Sequence, residues 1–368
     1  MKSSYKRNWS ETYERFEAWW KFENTDRPLM RVVARNGRAS RLEALPFLGK
    51  TDSERKEYSF LTPEIRDRYA RISCEEHEFL AEAFPCASLC FGPGAMATFL
   101  GSKPNFAPET VWYELITDDP ETLSTLKARF DTKWWRIAEE GYKTLTALAD
   151  EDYLPVLPDV IDSMDTLASL LGSQNLLYAL IDEPESIKTA LNLLDDIYFE
   201  YFDRLSDITR NSDGIMSVEA FSILGRYVAK LQCDFSAMIS PAMFDEFVAP
   251  TLAKYCARLG HALYHIDGQG EMCHVDTMLK IKGLDAFQWI PQVTSKTPFT
   301  DPEFYPMFDK IHAAGKGLYL AIDRGTPEDW ADETERLIKR YGTRGMYFLY
   351  PDFPDVKTAE KFIARFEK

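Results

Sequence analysis

Ala262-Leu263-Tyr264-His265-Ile266-Asp267-Gly268 is the stretch on which the reading of this chain turns. It is apolar enough for a buried strand, and Gly268 ends it. Side chains alternate along a strand, so His265 and Asp267 leave the same face near its C-terminal end. Upstream, Ser240-Pro241 has the form of an N-cap followed by a first helical residue. Met243, Phe244, Phe247, Val248, Leu252, Cys256 and Leu259 then recur at three- and four-residue spacing, which makes one apolar helix face. Gly260 suits a left-handed cap at its end. This part of the chain therefore reads as helix followed by strand.

The same alternation extends in both directions. Strands are expected at 28–34, 87–91, 154–159, 215–220, 262–267, 285–290, 317–322 and 346–350, with helices between them. One of those helices is expected to run from Pro63 to about Phe84. Repeated strand–helix units imply a parallel sheet. Eight of them favour a single (β/α)8 TIM barrel spanning 1–368, with its site at the C-terminal strand ends. An open doubly wound sheet competes, but no G-x-G-x-x-G follows the first strand. The remainder reads as an N-terminal helical segment (1–27) and two rim insertions (36–86 and 92–153), with 36–60 loop-like.

Composition narrows the function classes. The 368 residues are 45% hydrophobic and 14% aromatic, enough for a large core. Lys and Arg total 43 against 59 Asp and Glu, a formal charge of −16, which repels phosphate backbones and argues against nucleic acid. The first residues have no apolar core, and no apolar run approaches the roughly 18 residues of a membrane span, so a cytoplasmic protein with no membrane partner is expected. The six Cys include no C-x-x-C pair and are expected to be reduced thiols.

Polar residues at the expected strand ends are the candidates for chemistry. His265 and Asp267 can share a divalent metal or move a proton, and the alternative for them is a satisfied histidine with a loop-capping carboxylate. Glu219 and Asp159 are candidate acid–base or orienting groups, with charge pairing as the alternative. Gly92 and Gly94 of Gly92-Pro93-Gly94 bring bare backbone to the mouth, where a ligand could approach closely. Cys233, Gln288, Trp289 and Tyr350 are candidate substrate contacts, although a lone Cys and large aromatics more often fill cores.

Taken together, several stretches resemble the uroporphyrinogen decarboxylase superfamily, which includes methyltransferases that move methyl groups from a corrinoid protein to a thiol. They are Asp165-Thr166-Leu167-Ala168-Ser169-Leu170-Leu171-Gly172, Asp182-Glu183-Pro184-Glu185, Gln232-Cys233-Asp234-Phe235-Ser236, the helix from Ser240 to Pro250, and His265-Ile266-Asp267-Gly268. The likeness runs from about Leu89 to the end, and it implies a (β/α)8 barrel. It also implies zinc held by His-x-Cys on this strand and by a Cys after the last strand. Here those positions carry His265, Asp267 and Phe348-Leu349-Tyr350-Pro351-Asp352, a harder set that points to Mn or Fe as well as Zn.

The expected function is metal-assisted methyl transfer from or to a small methylated substrate, possible partners being that substrate and a corrinoid protein. The alternatives are decarboxylation of a tetrapyrrole or smaller carboxylate, met by Arg31, Arg35 and Arg38, and a non-catalytic barrel that binds a corrinoid or tetrapyrrole.

Overall fold

The structure, a computed structural model, describes residues 5–38, 51–107, 110–292 and 296–367. Eleven strands occur among them. They are β1 (Leu29–Arg35), β2 (His77–Ala81), β3 (Cys86–Ala87), β4 (Pro104–Phe106), β5 (Val111–Tyr113), β6 (Leu154–Pro155), β7 (Val228–Leu231), β8 (His261–Asp267), β9 (Ala286–Ile290), β10 (Gly317–Ala321) and β11 (Met346–Leu349). Seven form one sheet in the order β2-β1-β11-β10-β9-β8-β7. Every pairing in it is parallel except β1 with β2. The parallel strands are buried on both faces, as sheets covered by helices must be. No helix among the described residues is long and apolar enough to cross a membrane.

The expected eight matched strands are not what the hydrogen bonds make. β3 and β6 pair in a separate two-stranded parallel ladder, and beyond it Leu157 bridges Val218 in parallel. This arc is short for a local reason: Pro85, Pro155 and Pro158 offer no N–H to a ladder. The run 215–220 makes only isolated bridges, because Ala220 and Ser222 take positive φ of 66° and 49° and turn the chain back. A strand not anticipated, β7, joins the main sheet instead.

Other boundaries move for similar reasons. The helix expected from Pro63 to about Phe84 stops at Glu76, and the chain leaves it as β2 against β1. Where 36–60 reads as loop, a helix Asp52–Leu61 forms, opened by a capping box between Thr51 and Glu54; residues 39–50 lie outside the described set. Gly260 is not left-handed. It is needed because its N–H meets Tyr227 O at 2.8 Å, and a Cβ there would stand 3.2 Å from that oxygen.

The register fixes which side chains face the enclosed side of the sheet. His265 pairs with Gln288, Gln288 with Tyr319 and Tyr319 with Tyr347, so these four form one polar row across β8–β11. Lys230 pairs with Leu263 and so shares this face. The N-terminal helix α1 (Trp9–Trp20) closes the other end of the strands. Trp19 lies against Tyr347 at 5.5 Å between centroids and donates Nε1 to Gly345 O at 2.9 Å. Gly317 leaves room for it, since a Cβ there would come within 3.0 Å of the indole. Buried Glu82 ties α1 to the sheet, accepting from Arg15 at 2.7 Å, from Arg27 at 2.8 Å twice, and from Met30 N at 2.7 Å.

Trp19→Ala would open a cavity under the polar row that the glycine at 317 cannot fill. It is expected to cost about 3–5 kcal/mol of unfolding free energy, measured by urea denaturation. A loss under about 1 kcal/mol would mean that α1 does not close the sheet.

Candidate active site

The C-terminal ends of β7, β8 and β9 bring the chemistry together around a residue that the sequence reading passed over. Lys230 lies mid-strand in Val228-Ala229-Lys230-Leu231 and is 4% exposed. Its ammonium ion-pairs with Asp159 and donates to Gln232 Oε1. It also sits 4.9 Å from the centre of the Phe221 ring. Phe221 stands between the left-handed Ala220 and Ser222, so this turn holds backbone strain where it presents the ring. The same ring meets His265 edge-on at 5.2 Å.

His265 lies in the polar row with its Nε2 4.0 Å from Asp267 Oδ2. Burial, helped by the Lys230 charge, lowers its pKa to about 3, so the imidazole is neutral at ordinary pH. Its Nδ1 has no hydrogen-bond partner, while the Gln288 side chain lies within reach of both His265 and Tyr319 in the same row. Asp267 is 38% exposed at its side chain and reaches the opening. Burial raises its carboxyl above the usual range and Lys230 pulls it back. Glu271, fully buried beneath, accepts Asp267 N at 3.2 Å and Tyr264 Oη at 3.3 Å. Burial, then Asp234 and Asp165, push it up to about 10, so it is a neutral acid at pH 7.

A hydrogen-bonded path leads from this interior to the rim. Lys230 donates to Gln232, Gln232 Nε2 to Asp234 Oδ1 at 3.1 Å, and Asp234 N to Asp165 Oδ2 at 2.8 Å. There a groove of about 470 Å³ opens between the β4–β5 hairpin, helix Ser163–Leu171 and the turn after β7. Asp165, Gln232 and Asp234 supply its polar wall, and Trp112, Leu115 and Met238 an apolar one.

The other candidates divide. Asp159 belongs to the centre through Lys230. Glu219 sits beside it, accepting from Ser88 Oγ at 2.7 Å, its carboxyl raised by burial. Gly92 and Gly94 do lie at the mouth, but their bareness admits Tyr113: Cβ atoms there would stand 2.7 Å from its hydroxyl and 2.5 Å from its ring. That hydroxyl accepts from Gly94 N and donates to Phe91 O, at 2.7 and 2.9 Å. Cys233 is buried beside Asp162 and Asp165, away from His265's row.

Trp289 and Tyr350 are not at the mouth. Trp289 points to the helix side of β9, 4.8 Å from the Phe304 ring. Tyr350 packs among Trp330, Phe353 and Phe362, with Oη 2.9 Å from Thr334 Oγ1.

Two donors, His265 Nε2 and Asp267 Oδ2, are spaced to share one ion. That is one short of the three protein ligands usual at catalytic zinc, so water or substrate would have to complete the shell. Among the described residues, the three-donor grouping is instead Asp162, Asp165 and Cys233.

No protein-family model matches the chain, and no curated protein does. A solved structure, a methyltransferase from Methanosarcina mazei, superposes on 96% of this chain and 98% of its own with a TM-score of 0.62, at 13% sequence identity. At that identity the likeness is one of fold: an α/β protein built on a central, largely parallel sheet.

Glu271 gives a pH signature. Its folded pKa lies above the unfolded value of 4.5, so the stability tied to its proton is present below pH 4.5 and is lost as pH rises towards 10. Glu271→Gln should therefore match the parent near pH 5 and exceed it by about 1–2 kcal/mol at pH 8. Urea titrations at the two pH values measure this, and a pH-independent difference would contradict it.

Proposed function

We propose that this chain is a methyltransferase-like enzyme with its reaction centre at the C-terminal ends of β7–β9. The observation that carries the reading is the end-to-end fold likeness to a methyltransferase, combined with a neutral His265 and a part-exposed Asp267 at those strand ends. We read the main sheet and the β3–β6 arc with its 157–218 bridge as two parts of one (β/α)8 barrel. A small methylated substrate would enter along the groove, with a corrinoid protein as methyl donor or acceptor. A divalent ion (Zn, Mn or Fe) on His265 and Asp267 is part of the proposal, and when bound it would polarise the heteroatom that gives or takes the methyl group.

The chain's own groups have definite parts in this reading. His265 offers an unprotonated nitrogen, because burial, and then the Lys230 charge beside it, make protonation unfavourable. Asp267 orients the substrate heteroatom. Lys230 fixes one positive charge below the reacting atoms, Asp159 holds that charge in place, and the Trp112–Met238 wall gives the groove an apolar side against which a methyl group can rest.

Decarboxylation of a polycarboxylate is less well supported. Each buried carboxylate would need a cation, yet of Arg31, Arg35 and Arg38 only the half-buried Arg31 sends its charge to the Tyr319–Tyr347 row, Arg35 and Arg38 are exposed, and Lys230 is already paired.

The test is demethylation of a methylated corrinoid, and of small methylated amines, ethers and thiols, followed by the corrinoid's absorbance. Turnover is expected, with His265→Ala slower by about 100-fold or more. Metal content measured on both proteins should fall in the variant. No turnover of any such donor, or full activity in His265→Ala, would remove this reading.

A further inference from the structure

Asp162, Asp165 and Cys233 place one potential ligand atom each within 4.8 Å of one another, all three buried. None of them forms an ion pair within 4.0 Å among the described residues, and Lys230, the nearby ammonium, is engaged by Asp159. Asp162 is 1% exposed and caps the helix Ser163–Leu171: its Oδ1 accepts Met164 N at 3.2 Å and the Asp165 N–H also faces the carboxyl, which leaves Oδ2 without a well-formed hydrogen bond. A buried carboxyl with an oxygen left short of a hydrogen bond is a costly arrangement that a cation relieves.

We propose that Asp162, Asp165 and Cys233 form a binding site for a divalent transition ion of the zinc–iron class, separate from His265 and Asp267. The donor set argues for that class: a thiolate is a poor ligand for Mg²⁺ or Ca²⁺, whereas sulfur with carboxylate oxygen suits Zn²⁺ or Fe²⁺. Separations of this order close on an ion, with bonds of about 2.3 Å to sulfur and about 2.1 Å to oxygen, after small side-chain adjustments. The charge also balances better, since two carboxylates and a thiolate around a divalent ion leave a single net negative charge. Binding displaces to solvent the thiol proton and the proton that burial favours on Asp162, and changes no oxidation state.

The backbone holds the ligands in place. Met164 N–H orients Asp162, and Asp234 and Phe235 N–H groups orient Asp165 at 2.8 and 2.9 Å. This is the outer-shell support that metal carboxylates usually have. Asp165 also lines the groove, so one ligand of the site borders the place where a small molecule would enter. The inference does not rest on methyl transfer.

The experiment loads the full chain, stripped with chelator, with Zn²⁺ or with Co²⁺ as a spectroscopic probe. About one tightly held ion per chain is expected at this site, with a thiolate-to-cobalt charge-transfer band in the near ultraviolet. Cys233→Ser and Asp162→Asn should each abolish the band and weaken the binding at this site by at least about 10-fold, while Cys273→Ser, a change at an exposed thiol elsewhere, leaves both unchanged.

Circular dichroism establishes that each variant is folded. Should either fail to fold, alkylation of the parent protein in urea just below its unfolding midpoint decides, because Cys233 is buried in the folded chain. There Cys233 should be labelled in the stripped protein and protected once Zn²⁺ is restored. Absence of tight binding and of the band in the parent protein would overturn the inference. So would binding lost in His265→Ala but kept in Cys233→Ser, or labelling of Cys233 indifferent to Zn²⁺.

Discussion

The structure around the C-terminal strand ends depends on one buried charge. Lys230 lies inside the sheet, where an unpaired ammonium would cost several kcal/mol. Asp159, Gln232 and the Phe221 ring together make it tolerable. Each partner is brought by a different element: Asp159 by the chain after β6, Gln232 by the end of β7, and Phe221 by a turn with two left-handed residues. The charge then sets its surroundings. It adds to the burial that keeps His265 neutral, counteracts the effect of burial on Asp267 and Asp159, and anchors the path through Gln232 and Asp234 to the groove.

That dependence explains how the rim segment 92–153 connects to the centre. Tyr113 of the β4–β5 hairpin fits into space that only Gly92 and Gly94 leave free, and its hydroxyl bridges Phe91 and Gly94. The hairpin is thereby fixed, and Trp112 beside it faces the groove with 67% of its surface exposed. An exposed indole opposite Asp165 and Asp234 makes a groove that is apolar on one side and acidic on the other. Such a groove suits a neutral or cationic small molecule better than a polyanion.

Period-two alternation in β8 was enough to put His265 and Asp267 on one face, and the structure keeps them there. The same rule applied to β9 separates Gln288 from Trp289, so both could not line one pocket; the tryptophan went to the helix side. Tyr350 lies just past the end of β11, where alternation no longer decides. Lys230 was missed because β7 is four residues long and a lysine among Val, Ala and Leu reads as a break in a strand. The β3–β6 arc was overextended, since Leu154-Pro155-Val156-Leu157-Pro158 has strand-like apolarity but too few N–H donors for a full ladder. Glu271 carried no signal, because its burial comes from the turn Gln269–His274 folding back on β8. Asp165 was legible as part of a motif, while its link to Asp234 and Phe235 joins positions about seventy residues apart.

A double-mutant cycle on Lys230 and Asp159, followed by urea unfolding, tests most directly whether this ion pair organises the site. Lys230→Met alone is expected to cost about 3–5 kcal/mol, because it strands a buried carboxylate. Adding Asp159→Asn should recover a large part of that loss, giving a coupling of about 1.5–3 kcal/mol. Additive losses, with no coupling outside error, would mean that the two charges do not depend on each other and that the centre is held by something else.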